Sequence, residues 1–206
     1  MELFTIIITG SPGSGKGTQA KLLETFLKGQ DKDRRCVYLS TGERFRELAK
    51  GDSYSSDLMR EVLERGGLQP EFLPIWVWSG LFVEELKGNE HIIADGFPRM
   101  PLERDVFETA LNFYHREKSH ILNLKLTEEQ AIERLGLRKE KEGRADDRLE
   151  ALNNRFNLYN QKTVPTIEAF RTREKYYFHD IDASLSVDEV SKEIMQALNL
   201  ETLSSL

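Results

Sequence analysis

The 206-residue chain has a single cysteine, Cys36, which excludes an intramolecular disulfide and any metal site built from clustered thiols. Cys36 stands in the apolar run Cys36-Val37-Tyr38-Leu39 and reads as a small buried hydrophobe. Net positive charge is also missing. Basic side chains number 29 against 35 acidic ones, for a net charge of −6, which excludes a broad basic surface for nucleic acid or anionic membrane but leaves room for a local basic cleft. Ahead of the first apolar stretch stands Glu2, where a secretory leader carries basic residues, so none is expected. The longest apolar candidate, Leu73 to Val83, is too short to span a bilayer. These absences point to a cytoplasmic protein with neither a membrane nor nucleic acid as partner. Internal repeats and low-complexity tracts are absent too, and 39% hydrophobic with 31% charged residues suits one domain with a full core.

What is present begins with Gly10-Ser11-Pro12-Gly13-Ser14-Gly15-Lys16-Gly17-Thr18. This run directly follows the apolar segment Leu3–Thr9 and opens into the helical sequence Gln19-Ala20-Lys21-Leu22-Leu23. Strand, glycine loop, lysine and helix form a cradle for polyphosphate. The glycines let backbone N–H groups turn toward an anion, and the helix N-terminus adds partial positive charge there. Lys16 adds a full charge. The strict pattern has Ser or Thr immediately after the lysine, whereas Gly17 here precedes Thr18.

Apolar strand-like runs recur at Leu3–Thr9, Cys36–Leu39, His91–Ala94, Ile121–Leu126 and Tyr176–Ile181, with helical stretches between them. The alternation predicts an α/β fold of three layers, a five-stranded parallel sheet with helices on both faces. Thr127 with Gln130 and Ser186 with Glu189 mark two helix starts just after strands. Ligands of open α/β sheets lie at the carboxyl ends of strands, so the glycine loop and Asp95-Gly96 should converge on one edge. Two segments interrupt the alternation, 41–70, polar and helical with several glycines, and 138–147, charged and nearly devoid of apolar residues. By composition alone the second is a solvated helix connection.

Four motifs together resemble the adenylate kinase family of nucleoside monophosphate kinases: Gly10–Thr18, Thr41-Gly42-Glu43-Arg44-Phe45-Arg46, Asp95-Gly96-Phe97-Pro98-Arg99 and Gly143-Arg144-Ala145-Asp146-Asp147. They stand in the family's order, and Gly-Thr after the loop lysine is the family's own form of the P-loop. The resemblance implies one kinase domain over 1–206 with a monophosphate-binding insertion at 41–70 and a short lid at 138–147. The lid lacks the longer insertion that can carry zinc, so no structural zinc is expected. The implied reaction is reversible, Mg²⁺-dependent phosphoryl transfer from ATP to a nucleoside monophosphate. An acceptor phosphate with its second pKa near ~6 is largely a dianion at neutral pH and needs no general base. Accordingly His91, His115, His120 and His179 all fall outside the motifs.

By the same resemblance, the triphosphate is held by Gly13, Ser14, Gly15, Lys16, Gly17, Thr18, Arg134 and Arg138. The monophosphate is held by Thr41, Arg46, Leu68, Gln69, Gly96, Arg99, Glu103, Arg144 and Arg155. Lys16, Arg99, Arg138, Arg144 and Arg155 surround the transferring group, Asp95 orients Mg²⁺ through its water shell, and Asp146 and Asp147 pair with lid arginines. Arginine suits such sites because its planar fork grips phosphate oxygens in pairs and stays charged.

One position departs from the family. Adenylate kinases carry a base-reading glutamine four residues after the arginine of Asp-Gly-Phe-Pro-Arg, and here that position is Glu103. An ionised carboxylate only accepts hydrogen bonds, which suits guanine's adjacent N–H and amino groups better than adenine's edge. Gln69 nearby is a candidate for the missing amide, and Glu103 pointing into solvent is the plain alternative. AMP is the first expectation for the acceptor, with GMP and then CMP or UMP open. A nucleotide-binding module that transfers no phosphoryl group is the alternative class, but it would not need Arg46 and Arg99. The aromatic run Leu73–Phe82 reads as core, and a monomer is expected.

Overall fold

The computed structural model describes residues 2–116, 118–142 and 148–200. Five strands form one parallel sheet: β1 (Thr5–Gly10), β2 (Cys36–Ser40), β3 (His91–Asp95), β4 (Ser119–Lys125) and β5 (Tyr176–Asp182), in the order β2-β3-β1-β4-β5. Each of the five apolar runs is a strand, within two residues of its expected ends. Strands of one parallel sheet need crossovers, and the helices supply them: α1 (Lys16–Gln30), α2 (Thr41–Leu48), α3 (Tyr54–Glu64), α4 (Phe72–Glu85), α5 (Pro101–Phe113), α6 (Glu128–Glu142), α7 (Leu149–Leu158), α8 (Val164–Arg171) and α9 (Val187–Ala197). A single π-helical turn, Tyr159–Thr163, joins α7 to α8.

The period-two alternation of strand side chains separates the core into two layers. Ile6 and Ile8 of β1 pack with Ile93, Leu122 and Leu124 against Ala20, Leu23 and Leu27 of α1 and Val190 and Ile194 of α9. Ile7 faces the other way, with Ile92, Ala94 and Ile121, against Trp78 and Phe82 of α4, Phe107 and Leu111 of α5, and Phe170 of α8. Each such side chain taken from water contributes ~1.5–3 kcal/mol, so the paired layers fix the sheet's register. In the aromatic run only one helical stripe is core. Trp78 and Phe82 are buried, whereas Phe72 and Trp76 are exposed, because a turn of α4 presents only part of its surface to the sheet.

Both expected helix starts are capped reciprocally. Thr127 Oγ1 accepts from the Gln130 N–H while Gln130 Oε1 accepts from the Thr127 N–H, at 3.3 and 3.2 Å. Ser186 and Glu189 make the same exchange at α9. Of the segment 138–147, residues 138–142 continue α6, while Arg144, Asp146 and Asp147 lie outside the described residues. No helix among the described residues is long and apolar enough to cross a membrane.

Candidate functional site

The register sets Ile8 of β1 and Ser40 of β2 opposite Asp95 at the end of β3, so three strand termini open at one level. The glycine loop leaves β1 there. Gly15 caps α1 in the left-handed region, φ +85°, a conformation open to glycine and strained for other residues. No side chain caps α1, which leaves its first N–H groups directed at the loop mouth. Lys16 Nζ folds back, donating to the carbonyls of Gly10 at 3.0 Å and Ser11 at 2.8 Å, with Ser14 Oγ at 3.4 Å. Desolvation brings the Lys16 pKa down to about 7. Asp95 opposes the shift, while Arg99, Arg155 and Arg138 reinforce it. The ammonium is therefore held in a field of like charge that an anion would relieve.

Two cavities open at this edge. The first is lined by Thr41, Arg46, Leu68, Gln69, Gly96, Arg99, Glu103 and Arg155 together with Lys16, and by Phe45, Gly66 and Tyr159, which the sequence reading did not select. The second is lined by Gly13, Gly15, Lys16, Gly17, Thr18, Asp95, Arg134 and Arg138. Lys16, Arg46, Arg99 and Arg155 belong to the walls of both cavities. Cations far apart in sequence thus surround one junction. Ser14, within the loop, is buried and lines neither cavity. None of the four histidines lines either cavity.

Local bonds fix these groups. Arg99 Nε donates to the Gly96 carbonyl at 2.5 Å, turning the guanidinium back over the end of β3. Tyr38 of β2 donates its hydroxyl to Asp95 Oδ2 at 2.9 Å, and burial followed by the neighbouring Asp95 charge pushes the phenol pKa up. A Cβ added at Gly17 would lie 3.5 Å from Asp95 Oδ2, an ordinary contact distance, so the backbone between Lys16 and Thr18 runs beside that carboxylate. Arg134 donates to the carbonyls of Ala183, Ser184 and Leu185 after β5, at 2.7, 3.2 and 3.4 Å. That loop was not among the sequence candidates, although its place at the carboxyl end of a strand could have flagged it.

Glu103 is 2% exposed and lies within α5, so it does not point into solvent. Its Oε2 accepts from the Arg99 backbone N–H at 2.7 Å, and its Oε1 is buried with no hydrogen-bond partner among the described residues. Burial raises its pKa to about 7, against the Arg99 and Met100 backbone donors and the Arg99 charge. Gln69 Nε2 donates to the Met59 carbonyl at 3.0 Å, so its amide is engaged within its own segment.

Mg²⁺ fits this site chemically. Asp95 offers a hard oxygen ligand on the wall that also holds Gly17 and Thr18. No group of three or more His, Cys, Asp or Glu gathers into a metal site among the described residues, and an Mg²⁺ ion held at Asp95 would take water and phosphate oxygens readily as its other ligands.

Comparison with known proteins bears on the family of the chain. The family model described as adenylate kinase matches residues 8–175. An adenylate kinase of Porphyromonas gingivalis is 32% identical over 194 residues, covering 93% of this chain and 94% of the relative. The uridylate kinase of Saccharomyces cerevisiae is 29% identical over 204 residues, covering 96% and 91%. UMP-CMP kinase 1 of Oryza sativa is 30% identical over 194 residues, covering 94% of this chain and 73% of the relative.

Proposed function

The chain belongs to the adenylate kinase family of phosphotransferases, and from that premise we propose that it moves the terminal phosphoryl group of ATP onto AMP. The observation carrying this reading is the shared wall of the two cavities. Lys16, Arg46, Arg99 and Arg155 line both, so two phosphate-bearing ligands would meet between them. A binding module with one nucleotide would have no use for the second cavity.

In this reading the glycine-loop cavity takes ATP, with Gly13, Gly15, Gly17 and Thr18 against its phosphates and Arg134 and Arg138 along its wall. Segment 41–70 supplies the acceptor insertion through Thr41, Arg46, Leu68 and Gln69, and Arg99 holds the AMP phosphate. Residues 138–147 form the short lid. Mg²⁺, held through water by Asp95, would neutralise charge on the triphosphate and orient it. The acceptor phosphate is already nucleophilic, so the protein's work is positioning and electrostatic stabilisation. Lys16 starts from a desolvated, cation-crowded position, and a phosphate chain replaces its loop carbonyls with a stronger partner. Nucleotides are the only partners this chemistry requires, and the net charge of −6 fits a soluble cytoplasmic monomer.

The relatives include enzymes named for uridylate and for UMP and CMP, so the acceptor is the point to test. Coupled assays with ATP and each of AMP, GMP, CMP and UMP should give the highest kcat/KM with AMP. A higher value with another monophosphate would overturn AMP as acceptor, and no transfer to any would remove the kinase reading.

A further inference from the structure

We propose that Asn154 is a positioning residue for the phosphoryl transfer: its amide ties the end of the 41–70 segment to the turn of α7 that carries Arg155, and so holds the Arg155 side chain in place between the two cavities. This rests on the reading of those cavities as the acceptor and triphosphate sites.

Arg65 ends α3, where the last helix carbonyls lack intrahelical donors. Asn154 Nδ2 supplies one, donating to the Arg65 carbonyl at 2.8 Å across 89 residues of chain. The next residue, Gly66, is buried and stands at φ +67°. A Cβ added there would meet the Ala151 carbonyl oxygen at 2.1 Å and Arg155 Cγ at 2.9 Å. The backbone at Gly66 therefore lies directly on the turn of α7 from Ala151 to Arg155, and it walls one side of the Arg155 stem.

Arg155 lines both cavities, whereas Gly66, Gly67 and Leu68 line the first. Asn154 lines neither, so its effect on the reaction passes through these neighbours. Without the amide bond, Arg65 and Gly66 are free to draw back from α7. The Arg155 stem then loses its wall, while its guanidinium still has to reach a fixed point between two phosphates. Transfer depends on such placement, because a shift of ~1 Å far from the chemistry can cost ~10²-fold in rate. The net worth of one hydrogen bond sets a smaller scale here, about threefold to tenfold.

A double-mutant cycle of Asn154→Ala with Arg155→Ala tests this, read as kcat/KM at saturating ATP for the monophosphate the wild type phosphorylates best. Asn153→Ala, at an exposed neighbour on α7, controls for the gain in helix propensity. Asn154→Ala should lower kcat/KM about threefold to tenfold when Arg155 is present, and by less than about twofold when it is already alanine. Equal factors in the two backgrounds are what a purely structural tie gives, and they would overturn the inference. So would an effect no larger than that of Asn153→Ala. If Arg155→Ala keeps full activity, the place of Arg155 in the proposed function fails and the inference fails with it. A second readout needs no turnover. The ¹⁵N order parameter of the Arg155 Nε–H, assigned by difference against Arg155→Ala, should fall in ligand-free Asn154→Ala and hold in Asn153→Ala. An unchanged value in Asn154→Ala overturns the inference. If no monophosphate is phosphorylated, the kinase reading fails, and this order parameter still decides whether Asn154 holds Arg155.

Discussion

Tyr38 on β2 donates its hydroxyl to Oδ2 of Asp95 on the neighbouring β3 at 2.9 Å, which fixes one oxygen of the carboxylate on the wall of the second cavity. A hydrogen bond to a charged acceptor contributes ~1.5–3 kcal/mol. Tyr38→Phe should therefore raise the Mg²⁺ concentration for half-maximal rate by about tenfold or more and lower the stability of the ligand-free protein by ~1.5–3 kcal/mol. Mg²⁺ titrations at fixed ATP check this. An unchanged Mg²⁺ dependence would remove Tyr38 from the positioning of Asp95.

Lys16 makes two predictions at once. Lys16→Ala should lower kcat by ~10³–10⁵, the range for removing a cation that clamps a transferring phosphate. With its pKa down at about 7 in the free protein, Lys16 is mostly neutral at about pH 8, and a bound polyphosphate favours the charged form. ATP binding should then take up close to one proton. Calorimetry in buffers of different ionisation enthalpy would show the uptake in the wild type and its loss in the alanine variant.

Gly66, at the end of the 41–70 segment, stands at φ +67°, and an added Cβ would lie 2.1 Å from the Ala151 carbonyl of α7. Gly66→Ala meets both a left-handed backbone, costing ~1–2 kcal/mol, and a contact that must open. Denaturant unfolding should register at least that loss. KM for the acceptor should rise more than KM for ATP, because Gly66, Gly67 and Leu68 line the first cavity.

Glu90 closes the turn between α4 and β3, its buried carboxylate accepting from the backbone N–H groups of Lys87, Gly88 and Asn89. Burial alone would raise its pKa, but these donors outweigh burial and hold it below the usual carboxylate value. A depressed folded-state pKa contributes stability that is complete above the unfolded value of about 4.5 and is lost as pH falls through the lower folded value. Glu90→Ala should cost ~1–3 kcal/mol at neutral pH by urea unfolding, and its deficit against the wild type should shrink on acidification.

The strands, the two capped helix starts and the phosphate loop were legible because their signals are local: alternation over a few residues, a cap three residues from its partner, glycines around one lysine. The family motifs also located Lys16, Arg46, Arg99, Arg134, Arg138 and Arg155, all of which the fold brings to the two cavities. Less legible was which face of the aromatic run is buried. Trp76 and Trp78 are two residues apart yet lie on opposite sides of α4, a consequence of where the sheet sits.

The linear chain thus settled the phosphate chemistry, because a loop that turns backbone N–H groups and one lysine toward an anion is assembled from neighbouring residues. Folding alone settled the state of the groups that tune it. The Tyr38 bond to Asp95 spans 57 residues, the Arg134 contact with Ala183 spans 49, and the raised pKa of Glu103 comes from its burial. Desolvation and long-range hydrogen bonds exist only once separate segments are packed together, and they decide whether a carboxyl accepts or donates.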